Sequence, residues 1–214
     1  MIDYYTARTM FGNSRKVGIM FAETEMEHVV HFVDLERGEQ NTPSYLAINP
    51  NGRIPAIIDG DLALGESGAI LIYLADKCGR FLPSSGARRA ETLQWLFWQT
   101  SGVGPMFGQW QYFEHSAPEK IPSAIARYRS EATRLLDVLN KRLEGREHVA
   151  DEYSIADMAM YPWIAPAFAL IQAAAPDMTA KWPNIARWIE TIASRPAVKI
   201  AMASHEGSAT RIAD

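Results

Sequence analysis

The sequence is short of several features that would each indicate a class of protein. A single cysteine, Cys78, among 214 residues excludes an internal disulfide. The longest apolar stretch, residues 163–175, is interrupted by Pro166 and Gln172 and is shorter than the roughly 20 residues that a membrane helix needs. The net charge is −4 and no basic cluster is present, which argues against nucleic acid or an anionic membrane as a partner. The start, MIDYY, lacks the pattern of a secretory signal, so we expect a cytoplasmic protein.

The first part of the chain alternates between two kinds of short segment. Four segments are rich in β-branched or aromatic residues, and two carry apolar residues at helical spacing. The strand-like segments are residues 2–7, 29–33, 55–58 and 61–64, and the helical ones are residues 14–24 and 67–77. Asp59-Gly60 is a hairpin signal between the last two strands. The order predicts an α/β domain over residues 1–80, with its first two strands parallel through a right-handed crossover.

The second part of the chain shows helical patterns only. Residues 81–87 have the composition of a linker, and no strand signal follows them. Helical patterns cover residues 88–115, 121–144, 154–175 and 183–203. Ser154 and Asp157 form a capping-box pattern at the start of the third of these helices. We therefore predict an all-helical second domain over residues 88–214.

Three separated motifs carry a family resemblance. They are NPNGRIPAIID, then GESGAILIYLADK, and in the helical part YSIADMAMYPW. Together they resemble the cytosolic glutathione transferases, which combine a thioredoxin-like βαβ-α-ββα domain with an all-helical domain. RAETLQWLFWQTSGVGPMFGQ and IARYRSEATRLLDVLNKRLE are similar to the bacterial nu class, whose members are glutathione-dependent disulfide-bond oxidoreductases.

The resemblance implies how glutathione is bound at its cysteinyl and γ-glutamyl parts. Pro55 at the start of a strand corresponds to a cis-proline, and the backbone of Ile54 would pair with the cysteinyl backbone. Ser67 at a helix start suits the γ-glutamyl carboxylate, and Glu66 suits the ammonium. Without the resemblance, a proline opening an edge strand and an ordinary helix cap would explain the same residues.

Three further residues are predicted to contact glutathione. Gln40 and Arg53, in loops around the second helix, are candidates for the glycyl end or the peptide backbone. Arg127 matches a nu-class arginine that contacts bound glutathione. Solvated loop residues and a solvent-facing helix arginine would look the same in the sequence.

The residue that activates the glutathione thiol is predicted to lie in the loop over residues 9–16. That loop has no cysteine, so glutathione itself must supply the reacting sulfur. Nu-class proteins carry Thr-Pro-Asn-Gly here, whereas this chain keeps Thr9 but has its asparagine, Asn13, four residues on rather than two. Ser14 resembles the serine of other transferase classes. We order the candidates Asn13, Thr9, Ser14, and a helix N-cap role for Asn13 is compatible with this.

The expected function is thiol–disulfide exchange between glutathione, as co-substrate, and a small disulfide. A transferase that conjugates glutathione to small electrophiles is an alternative, and so is a non-enzymatic binding module with the same fold. No metal is expected, because His28 and His31 would point to opposite faces of a strand. The resemblance and the apolar helix at residues 95–98 predict a homodimer.

Overall fold

The computed structural model describes residues 1–8, 12–175, 177, 180–203 and 210–211. It divides into two compact units: the first comprises Met1–Arg80 with Arg195–Asp214, and the second comprises Phe81–Ser194. The strands are β1 (Ile2–Thr6), β2 (His28–Phe32), β3 (Ala56–Asp59), β4 (Leu62–Leu64) and β5 (Thr210–Arg211). The helices are α1 (Gly12–Thr24), α2 (Pro43–Ile48), α3 (Ser67–Cys78), α4 (Gly86–Trp98), α5 (Gly104–Gln111), α6 (Pro122–Arg142), α7 (Ile155–Ala174), α8 (Pro183–Ala193) and α9 (Pro196–Met202). A 3₁₀ turn covers Glu39–Asn41, and π-helical turns cover Gln99–Val103 and Tyr112–Ser116.

The sheet of the first unit has the mixed pairing of a thioredoxin-like domain. Its order is β4-β3-β1-β2-β5. β1 pairs in parallel with β2, with Tyr4 opposite Val30, and antiparallel with β3, with Tyr4 opposite Ile57. The predicted parallel pairing of β1 and β2 is confirmed. The expectation that no strand follows the linker is wrong, because β5 pairs in parallel with β2. A strand of two residues is too short to carry a local sequence signal.

The C-terminal helix α9 belongs to the first unit rather than to the helical one. The Arg195 guanidinium donates to both carboxylate oxygens of Glu23 on α1, at 2.6 and 3.0 Å. Arg15 on α1 also donates to the Met202 carbonyl, at 2.6 Å. From the sequence, residues 195–214 were predicted to belong to the helical domain. An amphipathic pattern shows that a helix has a buried face, but it does not show which unit buries that face. The boundaries 1–80 and 88–214 for independent domains remain a prediction.

The core beside β3 fixes the segment that leads into that strand. Tyr5, Val33, Tyr45 and Ala56 form a buried cluster, and Ile54 packs partly buried against it. Tyr45 comes from α2, so this short helix and the sheet hold Ile54 between them. Full burial of an aliphatic side chain stabilises a fold by about 1.5–3 kcal/mol, and the half-buried Ile54 contributes part of that through its contacts with this cluster.

The second unit is organised around the start of α7. Ser154 caps the helix, and Asp157 reaches back to the Ser154 N–H at 3.1 Å, which confirms the predicted capping box. Asp157 also accepts the Val149 N–H and the Trp188 indole N–H, both at 2.9 Å. Burial raises the pKa of the Asp157 carboxyl, and the hydrogen bonds from Val149, Trp188 and Ser154 oppose that effect. One buried carboxylate thus joins a loop, a helix start and α8.

Candidate functional site

The strand-opening proline is the first element of the site. The Ile54–Pro55 peptide bond is cis, as the sequence predicted. Pro55 is buried directly before β3, and Ile54 is half-buried. Within the described residues, neither the N–H nor the C=O of Ile54 has a hydrogen-bond partner. A backbone donor and an acceptor are therefore available next to the end of a sheet, the arrangement that binds an extended peptide.

Asn49 holds the loop in front of Ile54 in place. Its Nδ2 donates to the Arg53 carbonyl at 2.6 Å, and its Oδ1 accepts the Asn51 N–H at 3.1 Å. The Tyr45 hydroxyl donates to the same Arg53 carbonyl at 2.7 Å. A Cβ added at Gly65 would lie 2.9 Å from Asn49 Cγ, so any larger residue there would force the Asn49 side chain to shift. We did not single out Asn49 from the sequence, although its turn-rich surroundings were a signal.

Glu66 and Ser67 form the start of α3. Glu66 has φ 61° and ψ 111°, a backbone conformation that costs a non-glycine residue on the order of 1–3 kcal/mol and that clusters at ligand sites. The Glu66 carboxylate accepts from Asn51 Nδ2 at 3.3 Å, which connects this turn to the Asn49 loop. Ser67 is only 6% exposed and contributes one of the first N–H groups of the helix. Those N–H groups and the helix dipole favour a carboxylate.

Lys16 lies against Ser67, and we did not select it from the sequence. It belongs to α1 and is 1% exposed, and its Nζ donates to Ser67 Oγ at 3.3 Å. Burial lowers the pKa of Lys16 from 10.5 to about 7, and the Glu66 carboxylate opposes that shift. A lysine this deeply buried is rare unless it is paired.

The candidates for thiol activation differ in their accessibility. Asn13 is exposed in the first turn of α1. Ser14 is 2% exposed, and its carbonyl accepts the Tyr4 hydroxyl at 2.7 Å. Thr9 lies outside the described residues. Of the two candidates that the structure describes, Asn13 is the one whose side chain a ligand can reach.

The remaining predicted contacts lie in different places. Gln40 is in the 3₁₀ turn of the first unit, and its Oε1 is buried with no hydrogen-bond partner among the described residues. A Cβ at Gly52 would lie 3.2 Å from the Gln40 carbonyl oxygen, so this turn adjoins the Asn49 loop. Arg53 is exposed in that loop. Arg127 is exposed on α6 of the second unit. The first unit thus contains every described candidate except Arg127.

The described part of the chain has neither a metal-binding cluster nor a membrane-spanning helix. No group of three or more His, Cys, Asp or Glu residues there could hold a metal ion. His31 Nε2 is instead engaged with Asp3 Oδ1 at 2.6 Å. Over the same residues, no helix combines the length and the apolar character that crossing a membrane requires.

The chain matches two family descriptions and several characterised sequences. Residues 2–76 match the glutathione S-transferase N-terminal domain, and residues 106–196 match the glutathione S-transferase C-terminal domain. Disulfide-bond oxidoreductase YfcG of Escherichia coli K12 is 47% identical over 206 residues, which cover 92% of each chain. Disulfide-bond oxidoreductase YghU of the same bacterium is 40% identical over 200 residues, 87% of this chain and 69% of that protein.

Solved structures of similar proteins carry glutathione or its disulfide. A glutathione transferase from Burkholderia graminis, with two glutathione molecules bound per subunit, superposes with a TM-score of 0.88 and 39% identity, over 97% of this chain and 89% of that one. A glutathione transferase from Pseudomonas putida, with one glutathione disulfide bound per subunit, has a TM-score of 0.88 and 36% identity, over 96% of this chain and 92% of that one.

Fold and site together define the class of protein. The first unit has a thioredoxin-like sheet with a cis-proline before its third strand, and the second is a set of helices with a buried capping box at the start of α7. The chain belongs to the glutathione S-transferase family.

Proposed function

We propose that the protein is a glutathione-dependent disulfide-bond reductase. The observation that carries the proposal is the site in the first unit. There, the backbone groups of Ile54 have no hydrogen-bond partner among the described residues, and they are connected to the helix start at Ser67 through the Asn49 loop and Glu66. Such a site suits a small peptide with a free α-carboxylate. The 47% identity to a disulfide-bond oxidoreductase supports exchange as the reaction.

In this proposal each part of glutathione has its own contacts. The cysteinyl backbone pairs with the N–H and C=O of Ile54, next to Pro55. The γ-glutamyl carboxylate accepts from the Ser67 hydroxyl and N–H, and the γ-glutamyl ammonium donates to Glu66. These assignments use a donor for each anionic group and an acceptor for the cationic one.

The glycyl end of glutathione is assigned to the loops around α2. Gln40 and Arg53 contact the glycyl carboxylate or the neighbouring peptide group, and the exposed Arg53 guanidinium supplies the positive charge. The role of Arg127 rests on the family resemblance alone, and it remains a prediction.

Glutathione provides the sulfur in the proposed reaction. Cys78 lies at the end of α3, where its Sγ contacts the Ala75 carbonyl at 3.5 Å. The glutathione thiolate attacks one sulfur of a disulfide RSSR, forming a mixed disulfide and releasing a thiolate that takes up a proton. A second glutathione thiolate attacks the mixed disulfide, giving oxidised glutathione and a second thiol. This chemistry needs a reducing glutathione pool, and we propose a cytoplasmic location on that ground.

Asn13 is the proposed activator of the thiol. An ordinary thiol with a pKa near 8.5 is only a few per cent ionised at neutral pH. The amide N–H₂ of Asn13 donates a hydrogen bond to the sulfur anion, and it cannot act as a base. A downward shift of the thiol pKa by about two units, or roughly 2.7 kcal/mol, makes the thiolate the main species at pH 7.

Two assays on the purified protein test this function. We expect glutathione with hydroxyethyl disulfide to give faster turnover than glutathione with a chlorodinitrobenzene electrophile.

Ser67→Ala should weaken glutathione binding about tenfold, because a hydrogen bond to a charged group is lost. Ser84→Ala, which alters an exposed serine, is the matched control and should bind as the wild type does. Unchanged affinity in Ser67→Ala, or no binding to the native protein, would contradict the proposal.

Conjugation to electrophiles is the second candidate function. It is favoured by the matches to the glutathione S-transferase domains over residues 2–76 and 106–196. Both reactions use the same glutathione site and differ only in the acceptor. Good conjugation with no turnover of small disulfides in the paired assays would establish this second function instead.

We further propose that the protein is a homodimer. Phe97 on α4 is 59% exposed, and it lies beside Trp95 and Trp98, whose rings contact each other at 5.2 Å. Leu96 already supplies the buried face of this helix. An exposed aromatic face on an otherwise packed helix fits a surface that a second copy covers.

Light scattering at micromolar concentration is expected to give the mass of two chains. Phe97→Glu should shift that mass toward one chain, because a charge would be buried without a partner. Gln94→Glu, at an exposed position of the same helix, is the control and should leave the mass unchanged. A monomeric wild type would rule the dimer out.

A further inference from the structure

The buried ammonium of Lys16 has a geometry that the proposed reaction leaves unexplained. Lys16 is 1% exposed, and its Nζ lies 3.3 Å from Ser67 Oγ. Burying a cation costs several kcal/mol unless nearby groups compensate for the lost hydration. An uncharged side chain of similar length would fill the same space without that cost. The position therefore points to a use for the charge.

The direction of the hydrogen bond between Lys16 and Ser67 determines what Ser67 can do. A lysine ammonium has three donors and no acceptor, so Ser67 Oγ must accept. A hydroxyl that accepts from one side keeps its own hydrogen for another partner. With Lys16 charged, the Ser67 O–H is thus directed away from Lys16 and remains available as a donor to an anion.

We propose that Lys16 is a positioning residue of the glutathione site, holding the Ser67 hydroxyl as a donor to the γ-glutamyl carboxylate and placing a positive charge behind it. The inference rests on the proposed function, because it assigns that carboxylate to Ser67. Lys16 acts through Ser67 and through its charge, and no contact between Lys16 and glutathione is required.

The protonation state of Lys16 then couples glutathione binding to pH. Burial lowers the pKa of Lys16 to about 7, so the side chain titrates near neutral pH. A neutral amine can accept the Ser67 hydrogen, which would reverse the bond and remove the donor. A carboxylate bound at Ser67 favours the ammonium and raises the pKa of Lys16, so binding above pH 7 takes up a proton. Affinity is therefore highest below about pH 7 and falls as pH rises.

Glu66 is the main electrostatic partner of Lys16, because most other charged groups on the neighbouring elements are paired elsewhere. Glu66 is the acidic group that opposes the lowering of the pKa of Lys16. α1 packs against α3 and α9, and Tyr4 of β1 contacts it through Ser14 and Phe21. Among the charged groups of those elements, Asp3 is engaged by His31, Lys77 by Asp59 and Arg195 by Glu23. The other titratable groups on β1, α3 and α9 are Tyr4, Tyr5, Tyr73, Asp76, Cys78 and Lys199.

Titration calorimetry with S-methylglutathione tests the inference, since this ligand has no thiol to titrate and its α-ammonium contributes equally to the wild type and to a Lys16 variant. Binding is measured between pH 6 and pH 8 in two buffers of different ionisation enthalpy, which gives the number of protons taken up. For the wild type we expect net proton uptake near pH 7.5 and an affinity that falls up to about tenfold per pH unit above pH 7. Lys16→Arg keeps a permanent charge, so its proton uptake should fall to the share that comes from the α-ammonium of the ligand. Lys16→Met should bind about tenfold more weakly than the wild type at pH 6.5, without the pH dependence.

The outcomes separate this inference from the function on which it rests. Wild-type binding with no proton uptake near neutral pH overturns the role of Lys16 and leaves the glutathione site standing. The same follows if Lys16→Arg takes up as many protons as the wild type, or if a folded Lys16→Met binds equally well. No binding by the wild type at any pH overturns the proposed function itself. The difference in proton uptake between the wild type and Lys16→Arg assigns the uptake to Lys16. If Lys16→Arg fails to fold, Lys16→Met supplies the same comparison, and an absence of uptake in the wild type needs no variant.

Discussion

Replacing Asn13 by alanine is expected to lower disulfide reductase turnover about a hundredfold while changing glutathione affinity less than threefold. Asn13 is exposed in the first turn of α1, and we propose that its amide donates to the bound thiolate. A hydrogen bond to a charged atom contributes about 1.5–3 kcal/mol, and each 1.4 kcal/mol corresponds to a factor of ten in rate. The peptide contacts of glutathione are assigned to other residues, so binding should survive the change.

Two quantities are measured for the wild type and for Asn13→Ala: the disulfide reductase turnover and the pKa of the bound glutathione thiol. Ultraviolet absorbance of the thiolate, followed against pH, should show the thiol pKa rising in Asn13→Ala. Ser14→Ala is the matched control, because Ser14 is adjacent but only 2% exposed, and its turnover should match the wild type. Intact turnover in Asn13→Ala together with a large loss in Ser14→Ala or Thr9→Ala would move the role to one of those residues.

The parts of the site that follow from local sequence could be predicted, and the parts that follow from packing could not. Ile54-Pro55 and Ser67 lie in motifs whose turn and capping signals are local. Lys16 is different, because a helical pattern places it beside Val17 without showing what packs there. Only the packing of α1 against α3 brings its Nζ to Ser67.

Asn49 and the C-terminal segment also depend on packing that the sequence does not show. Asn49 sits in a turn-rich stretch, yet its contact with the Arg53 carbonyl and its close approach to Gly65 depend on how the loop folds back. The assignment of α9 to the first unit depends on the pair between Arg195 and Glu23, which are 172 residues apart. Sequence periodicity cannot report partners at that separation.

The largest effect on stability is expected from Asp157→Ala. The carboxylate is fully buried and accepts the N–H groups of Val149 and Ser154 and the indole N–H of Trp188. Alanine would leave all three donors buried without an acceptor, and breaking such a network costs about 3–5 kcal/mol. For a chain of this size, that loss lowers the melting temperature by roughly 10 °C.

Tryptophan fluorescence during thermal or denaturant unfolding measures this loss in the second unit. All six tryptophans lie between residues 95 and 188, inside the second unit. Asp157→Asn keeps one acceptor oxygen and should lose clearly less stability than Asp157→Ala. Asp151→Ala removes an exposed partner of Arg88 and should change the transition little. If Asp157→Ala unfolds at the wild-type midpoint, the buried carboxylate does not hold the second unit together. Below the transition, glutathione affinity should stay unchanged, because Ile54, Glu66 and Ser67 belong to the first unit.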